Sequence, residues 1–230
     1  MNVMNMCCYS RIRLYLLISI SLLLVRLSVL PFTLMLDPAG DAQHAGRQIE
    51  DCLERGITLQ FAEKLKEEVE RKHGINVFIT RVPGETLEPL QNANYANRLD
   101  VDFYLSVHFY KEKEVFPRMY LFTFSYRDDF AIKKPDLYFY PYDKAHLIHI
   151  NKTQRIAEII KNLFLEDAYK KKCKFEGIIS LPFRPLVGIK APALAIELGL
   201  KQKNDWKNYL DDFTTMISNV ITQEKNEQIL

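Results

Sequence analysis

After residue 31, apolar and polar positions fall into two alternating rhythms. Short apolar runs recur: "FTLML" at 32–36, "INVFIT" at 75–80, "VDFYLSVHF" at 101–109, "RMYLFTFSY" at 118–126, "FEGIISLP" at 175–182 and "PALAIELGL" at 192–200. Their length and their β-branched and aromatic content are those of strands. Between the first two, Ile57, Phe61, Leu65 and Val69 return every fourth residue with Glu and Lys between them, which predicts an amphipathic helix ending at His73-Gly74. "LQNANYANRL" at 90–99 reads as a short helix. Asn151 to Glu166 reads as a second amphipathic helix, with Ile156, Ile159, Ile160 and Leu163 on one face, and Trp206 to Ile221 as a closing helix. Strands alternating with helices predict an α/β fold: one layered domain over 32–225, with a mostly parallel or mixed central sheet flanked by helices.

Two segments stand outside this rhythm. Residues 127–150, "RDDFAIKKPDLYFYPYDKAHLIHI", are rich in Tyr and Phe and broken by two prolines, which predicts an inserted hairpin or lid. At the N-terminus, Arg11 and Arg13 precede "LYLLISISLLLV" at 14–25, the pattern of an export signal or an uncleaved membrane anchor over 1–31. The run is short for a bilayer span of about 20 residues, and no A-x-A cleavage site follows.

Composition narrows the function classes. A hydrophobic fraction of 48% with 26% charged residues is that of an ordinary globular protein, and a net charge of +2 offers nothing to a nucleic acid. "KKKCK" at 170–174 reads as a solvated basic turn. Four cysteines make no disulfide framework and match no zinc spacing. Cys7 and Cys8 precede the apolar segment without an acylation motif, and Cys52 and Cys173 read as free and buried, or as a pair if the fold brings them together.

In sheets of this kind ligands bind beyond the carboxyl ends of the strands. Asp37 and Asp41 follow the first strand, His108 ends "YLSVH", and Glu197 ends "ALAIE". Taken singly, His108 reads as a satisfied structural histidine and Glu197 as half of a salt bridge. Together with Glu54 at a helix start they form a His/carboxylate cluster of the kind that holds zinc.

From Leu34 to about Ile221 the chain resembles the zinc-dependent N-acetylmuramoyl-L-alanine amidases, which are cell-wall hydrolases. "LDPAGDA" at 36–42 is similar to their strand-end loop D-P-G-H-G-G, and "ERGITLQFAEKL" at 54–65 to a helix start whose Glu is a zinc ligand. "VFITR" at 77–81 matches a strand ending in Thr-Arg, "ANRLDVDFYLSVH" at 96–108 a segment ending on a ligand His, and "APALAIELGL" at 191–200 a segment carrying the catalytic glutamate. The resemblance thus implies Glu54 and His108 as metal ligands, Glu197 as general base, and one zinc ion that activates water. It also implies hydrolysis of the amide between N-acetylmuramic acid and L-alanine in peptidoglycan, by a protein exported to or anchored in a bacterial cell envelope. The alternative is a weakened or inactive amidase-like domain that binds peptidoglycan or regulates another hydrolase. A third reading is a zinc amidase or peptidase acting on a different amide.

The opening loop departs from the family. Gly40 stands where the resemblance places the first ligand His, and glycine has no side chain to offer. Asp41 replaces it, or a rearranged loop brings in His44, or zinc binding is weak or lost. Asn92 stands for the family's Arg and Thr58 for its Asn. His146 and His149 read as an incidental pair, able to hold a second metal only if their segment is helical.

Overall fold

The computed structural model describes residues 31–88, 90–125 and 141–229. Residues 1–30, where the sequence predicts an export signal or anchor, and residues 126–140, which hold most of the predicted insert at 127–150, lie outside the described residues. Among those described, no helix is long and apolar enough to cross a membrane.

Six strands make the central sheet: β1 (Thr33–Pro38), β4 (Asn76–Ile79), β5 (Phe103–Lys111), β6 (Arg118–Phe124), β7 (Lys174–Leu181) and β8 (Ala193–Leu200), in the spatial order β4-β1-β5-β8-β6-β7. β2 (Gln48–Ile49) and β3 (Cys52–Leu53) form a two-stranded ribbon that the apolar pattern does not announce. All neighbours in the large sheet run parallel except β6 and β8, so the sheet is mixed and mostly parallel, as expected. Reversal at β6 follows from its short connection to β5. Buried Glu112 organises that turn, accepting from the backbone N–H groups of Lys113, Glu114 and Arg118, from the Arg118 guanidinium and from the Tyr110 hydroxyl. Burial alone would raise its carboxyl, but these donors hold it at about 2.

Alternation along the strands sorts the core into two faces. Leu34, Leu36, Phe103, Leu105, Val107, Phe109, Leu194, Ile196 and Leu198 pack on one side with helices α1 (Glu54–His73), α3 (Ile150–Phe164) and α5 (Leu210–Ile229). Met35, Tyr104, Ala193 and Ala195 face the other side, where the small α2 (Gln91–Leu99) lies over them through Ala93 and Ala96. Both faces are therefore covered, which is why the strands read as unbroken apolar runs.

α1 ends as its sequence predicts. Gly74 takes the left-handed conformation at φ 61° and donates to the Glu70 carbonyl, and Arg71, Lys72 and His73 occupy the negative end of the helix. A four-residue helix α4 (Asp167–Lys170) carries the basic turn. The closing helix runs from a 3₁₀ turn at Asp205–Tyr209 into α5.

The described end of the insert is not a strand of a hairpin. Tyr142–His149 is a 3₁₀ helix leading into α3, docked on α2 where the Tyr142 hydroxyl donates to Asn94 Oδ1 at 2.6 Å. His146 and His149 thus do lie on a helical turn, but His146 packs its ring edge-on against Phe124 at 4.8 Å. Cys52 and Cys173 are both free, and burial pushes the Cys173 thiol up to about 12.

Phe61 anchors the larger core, edge-on to Phe109, Trp206 and Phe213 with ring centroids 5.3, 6.1 and 5.0 Å away. Replacing it with Ala is expected to cost about 3–5 kcal/mol of stability by equilibrium urea unfolding. A loss under about 1 kcal/mol would show that this packing contributes little.

Candidate functional site

Strand parity gathers the polar residues at one end of the sheet. Asp37 follows Met35, Ser106 and His108 follow Tyr104, and Glu197 follows Ala195, so all four face the α2 side. In register, Asp37 lies opposite Ser106 and His108 opposite Glu197.

Asp37 is buried and accepts hydrogen bonds from three side chains. Thr80 Oγ1 and Asn92 Nδ2 donate to Oδ1 at 2.8 Å each, and Ser106 Oγ donates to Oδ2 at 2.7 Å. Ser106 Oγ also lies 3.0 Å from His108 Nε2. A hydroxyl has one proton, and here it is committed to the carboxylate, so Nε2 must carry the ring proton and donate to Ser106. In neutral His108 the Nδ1 lone pair then points to Glu54, whose Oε1 is 3.6 Å away.

Glu54 is the first residue of α1 and is buried. Its Oε1 accepts from the N–H of Phe109 at 3.0 Å and its Oε2 from the N–H of Arg47 at 2.9 Å. Burial works to raise this carboxyl, but a proton shared with His108 and the N–H of Arg47 outweigh burial and hold it below the usual carboxylate range. A lone pair on Nδ1 facing a carboxylate is repulsive unless a proton or a cation lies between them. His108 and Glu54 therefore have room for a proton or a cation between them.

Among the described residues, no third ligand stands beside them. Gly40 has φ +80°, and a Cβ there would stand 2.8 Å from Arg55 Cβ and 2.9 Å from the His44 carbonyl oxygen. No side chain fits at this position without moving the loop. Asp41 is turned into that same loop: its carboxylate accepts from the N–H groups of His44, Gln43 and Leu87 at 2.6, 2.8 and 3.4 Å. The His44 ring is largely exposed, with Nδ1 3.3 Å from Asp41 Oδ2. Among the described residues, no three His, Cys, Asp or Glu side chains converge where a metal ion could be held. The residues present do not fit a three-ligand zinc centre.

The loop is held from several sides. Arg81, buried, donates to the carbonyls of Pro38, Ala39 and Arg55, and Arg55 donates to those of Asp41 and Ala42. Thr58 Oγ1 donates to the Ala39 carbonyl at 2.9 Å, so the residue that departs from the family still fastens the loop to α1. Gly46 approaches Glu54 so closely that a Cβ would lie 2.7 Å from Oε2.

Glu197 does not touch this cluster directly through a hydrogen bond. Its Oε1 is ion-paired with the Arg47 guanidinium, which also lies over the Tyr110 ring at 5.8 Å. Arg47 arrives on the loop, and nothing in the spacing of the sequence announces it. Ser106 could have been found, since it precedes His108 by two and so shares its face of the strand. A cleft of about 760 Å³ opens over Asp37, Asp41, His44 and His108 and is walled by Arg184 and Pro185.

Burial works to raise the Asp41 carboxyl, but its loop hydrogen bonds outweigh burial and bring it down to about 2 from an ordinary 3.8. A carboxyl lowered in the fold stabilises the protein above its unfolded value, and that contribution is lost as pH falls through the folded one. Asp41→Asn is therefore expected to unfold at lower temperature than the parent at neutral pH, with the gap closing between about pH 4 and about pH 2. Thermal unfolding across a pH series checks this, and a gap independent of pH would contradict it.

The family profile for N-acetylmuramoyl-L-alanine amidase matches residues 34–222. No curated protein matches the chain by sequence. Among solved structures, the chain is similar to the N-acetylmuramyl-L-alanine amidase Ami1 of Mycobacterium smegmatis (TM-score 0.61, 12% identity, 85% of this chain and 99% of that one). It is also similar to the N-acetylmuramoyl-L-alanine amidase AmiC2 of Nostoc punctiforme (TM-score 0.59, 14% identity, 85% and 97%). A third likeness is to an N-acetylmuramoyl-L-alanine amidase of Clostridium difficile 630 (TM-score 0.53, 18% identity, 85% and 97%). At these identities the structural likeness is one of fold, whereas the profile match spans most of the domain, and the chain belongs to the N-acetylmuramoyl-L-alanine amidase family.

Proposed function

We propose that this chain hydrolyses the amide between N-acetylmuramic acid and L-alanine in peptidoglycan, at the end of the sheet where His108 and Glu197 lie in register. The observation that carries this reading is the placement of Glu54, His108 and Glu197 at one sheet end, with Glu54 Oε1 3.6 Å from His108 Nδ1. Family membership supports the substrate class.

Each residue has a part in this reading. Glu197 takes a proton from the attacking water and passes it to the leaving amine, which requires Arg47 to release it first. His108, oriented by Ser106 and Asp37, and Glu54, held by two backbone N–H groups, are the side chains whose lone pairs would hold a cation beside the reacting amide. Zinc supplies water activation in the family, and of its ligand set this chain keeps Glu54 and His108. The cleft over Asp37 and His108 receives the substrate. The N-terminal segment, residues 1–31, exports the domain or anchors it in the cell envelope, where peptidoglycan lies.

Two observations favour a second reading, recognition of peptidoglycan without turnover. The Asp41 carboxylate is committed to its own loop, and Glu197 is committed to Arg47. Incubating the purified protein with defined muramoyl-peptides, with and without added zinc, and measuring released peptide by mass spectrometry separates the two. Hydrolysis predicts release that falls about 10²–10⁴-fold in Glu197→Gln while the circular dichroism spectrum is kept. Binding to sacculi with no release at any zinc concentration would establish the second reading, and release undiminished in Glu197→Gln would overturn the role of Glu197.

A further inference from the structure

A hollow of about 490 Å³ is lined by Glu197 together with Arg47, Tyr110, Lys111, Arg118 and Tyr120. We propose that this hollow is a binding site for a carboxylate-bearing ligand, whose anion takes Arg47 away from Glu197. The three cations come from three separate parts of the fold: the loop before β2, the end of β5 and the start of β6.

The resting charges balance, but not equally tightly. Arg118 donates through Nε and Nη2 to Glu112, which is completely buried and has backbone and Tyr110 donors as well. That pair is fixed, and the remaining N–H groups of the guanidinium are left for a ligand. Lys111 pairs with Glu50 at 3.2 Å on the surface, where both are partly exposed. Arg47 has half of its side chain exposed and pairs with the one carboxylate that lines the hollow. Arg47 is the exposed partner of this pair, so a ligand carboxylate entering the hollow can take the place of Glu197, one charge-assisted partner exchanged for another.

The backbone makes this exchange a movement of one side chain. The N–H of Arg47 donates to Glu54 Oε2 and its carbonyl accepts from the N–H of Glu54, so the main chain is pinned on both sides. Only the guanidinium is free to swing, and Tyr110 offers it a ring face on the way. Tyr120 lies opposite Glu197 in the antiparallel register and closes the far wall. A ligand bound there lies next to Glu197 and releases it from its ion pair. The device admits an acidic peptide and leaves Glu197 occupied in its absence. Identifying the anion with the stem peptide of peptidoglycan rests on the function proposed above; the site itself rests on the hollow and its charges.

Isothermal titration of the whole protein with two muramoyl-peptides tests this, one with free stem carboxylates and one with the same groups as carboxamides. The free acid is expected to bind about tenfold more tightly, the weight of one charge-assisted hydrogen bond. Arg47→Ala should erase the preference and Arg47→Lys should retain part of it. Glu197→Gln removes the internal competitor and should strengthen binding of the free acid, an outcome that does not depend on how Arg47→Ala folds. Equal affinities for the two peptides, or a preference that survives Arg47→Ala, would overturn the anion site while leaving the proposed function standing. Failure of both peptides to bind would overturn the two together.

Discussion

A carboxylate buried at the end of β1 is the constraint on which the rest of the site depends. Asp37 is almost fully shielded from water, and a charge in that position is tolerated only if its lone pairs are filled. Thr80 just beyond β4, Asn92 on α2 and Ser106 on β5 fill them. One anion thereby ties together three neighbouring strands and the helix that lies over them. It also decides chemistry one step away, because the Ser106 proton it takes is what obliges His108 to donate from Nε2 and to turn Nδ1 towards Glu54.

The opening loop is closed by its own contacts. Gly40 sits in a backbone conformation and a space that exclude a side chain. Asp41 spends its carboxylate on closing the loop, where the reward is three backbone hydrogen bonds. Arg47, at the far end of the same loop, brings a positive charge to Glu197. The chain thus places its own cation against the carboxylate proposed as the base, and access to that carboxylate becomes a matter of ligand charge as well as shape.

Much of this was legible in the sequence, for physical reasons. Glu54, His108 and Glu197 could be placed because each ends an apolar strand or opens an amphipathic helix, and such ends gather at one edge of a mostly parallel sheet. The reading of Glu197, taken alone, as half of a salt bridge also matches its contact with Arg47. The direction of β6 was not legible, since an apolar run reads the same in either sense and only the turn around Glu112 reverses it. The fate of Asp41 was hidden as well. Its carboxylate accepts from its own neighbours Gln43 and His44, and Leu87, 46 residues away, adds a longer contact that only the fold supplies. Asn92, a departure from the family pattern on paper, turns out to donate to Asp37.

The central claim is that Asp37, through Ser106, keeps a ring proton of His108 on Nε2 and turns Nδ1 towards Glu54. Nitrogen-15 shifts of the His108 ring, recorded across a pH series, test it most directly. The account predicts protonation at Nε2 in the parent and a mixture of the two tautomers in Ser106→Ala, with the fold retained in both. A proton on Nδ1 alone in the parent, or a tautomer unchanged by Ser106→Ala, would contradict it.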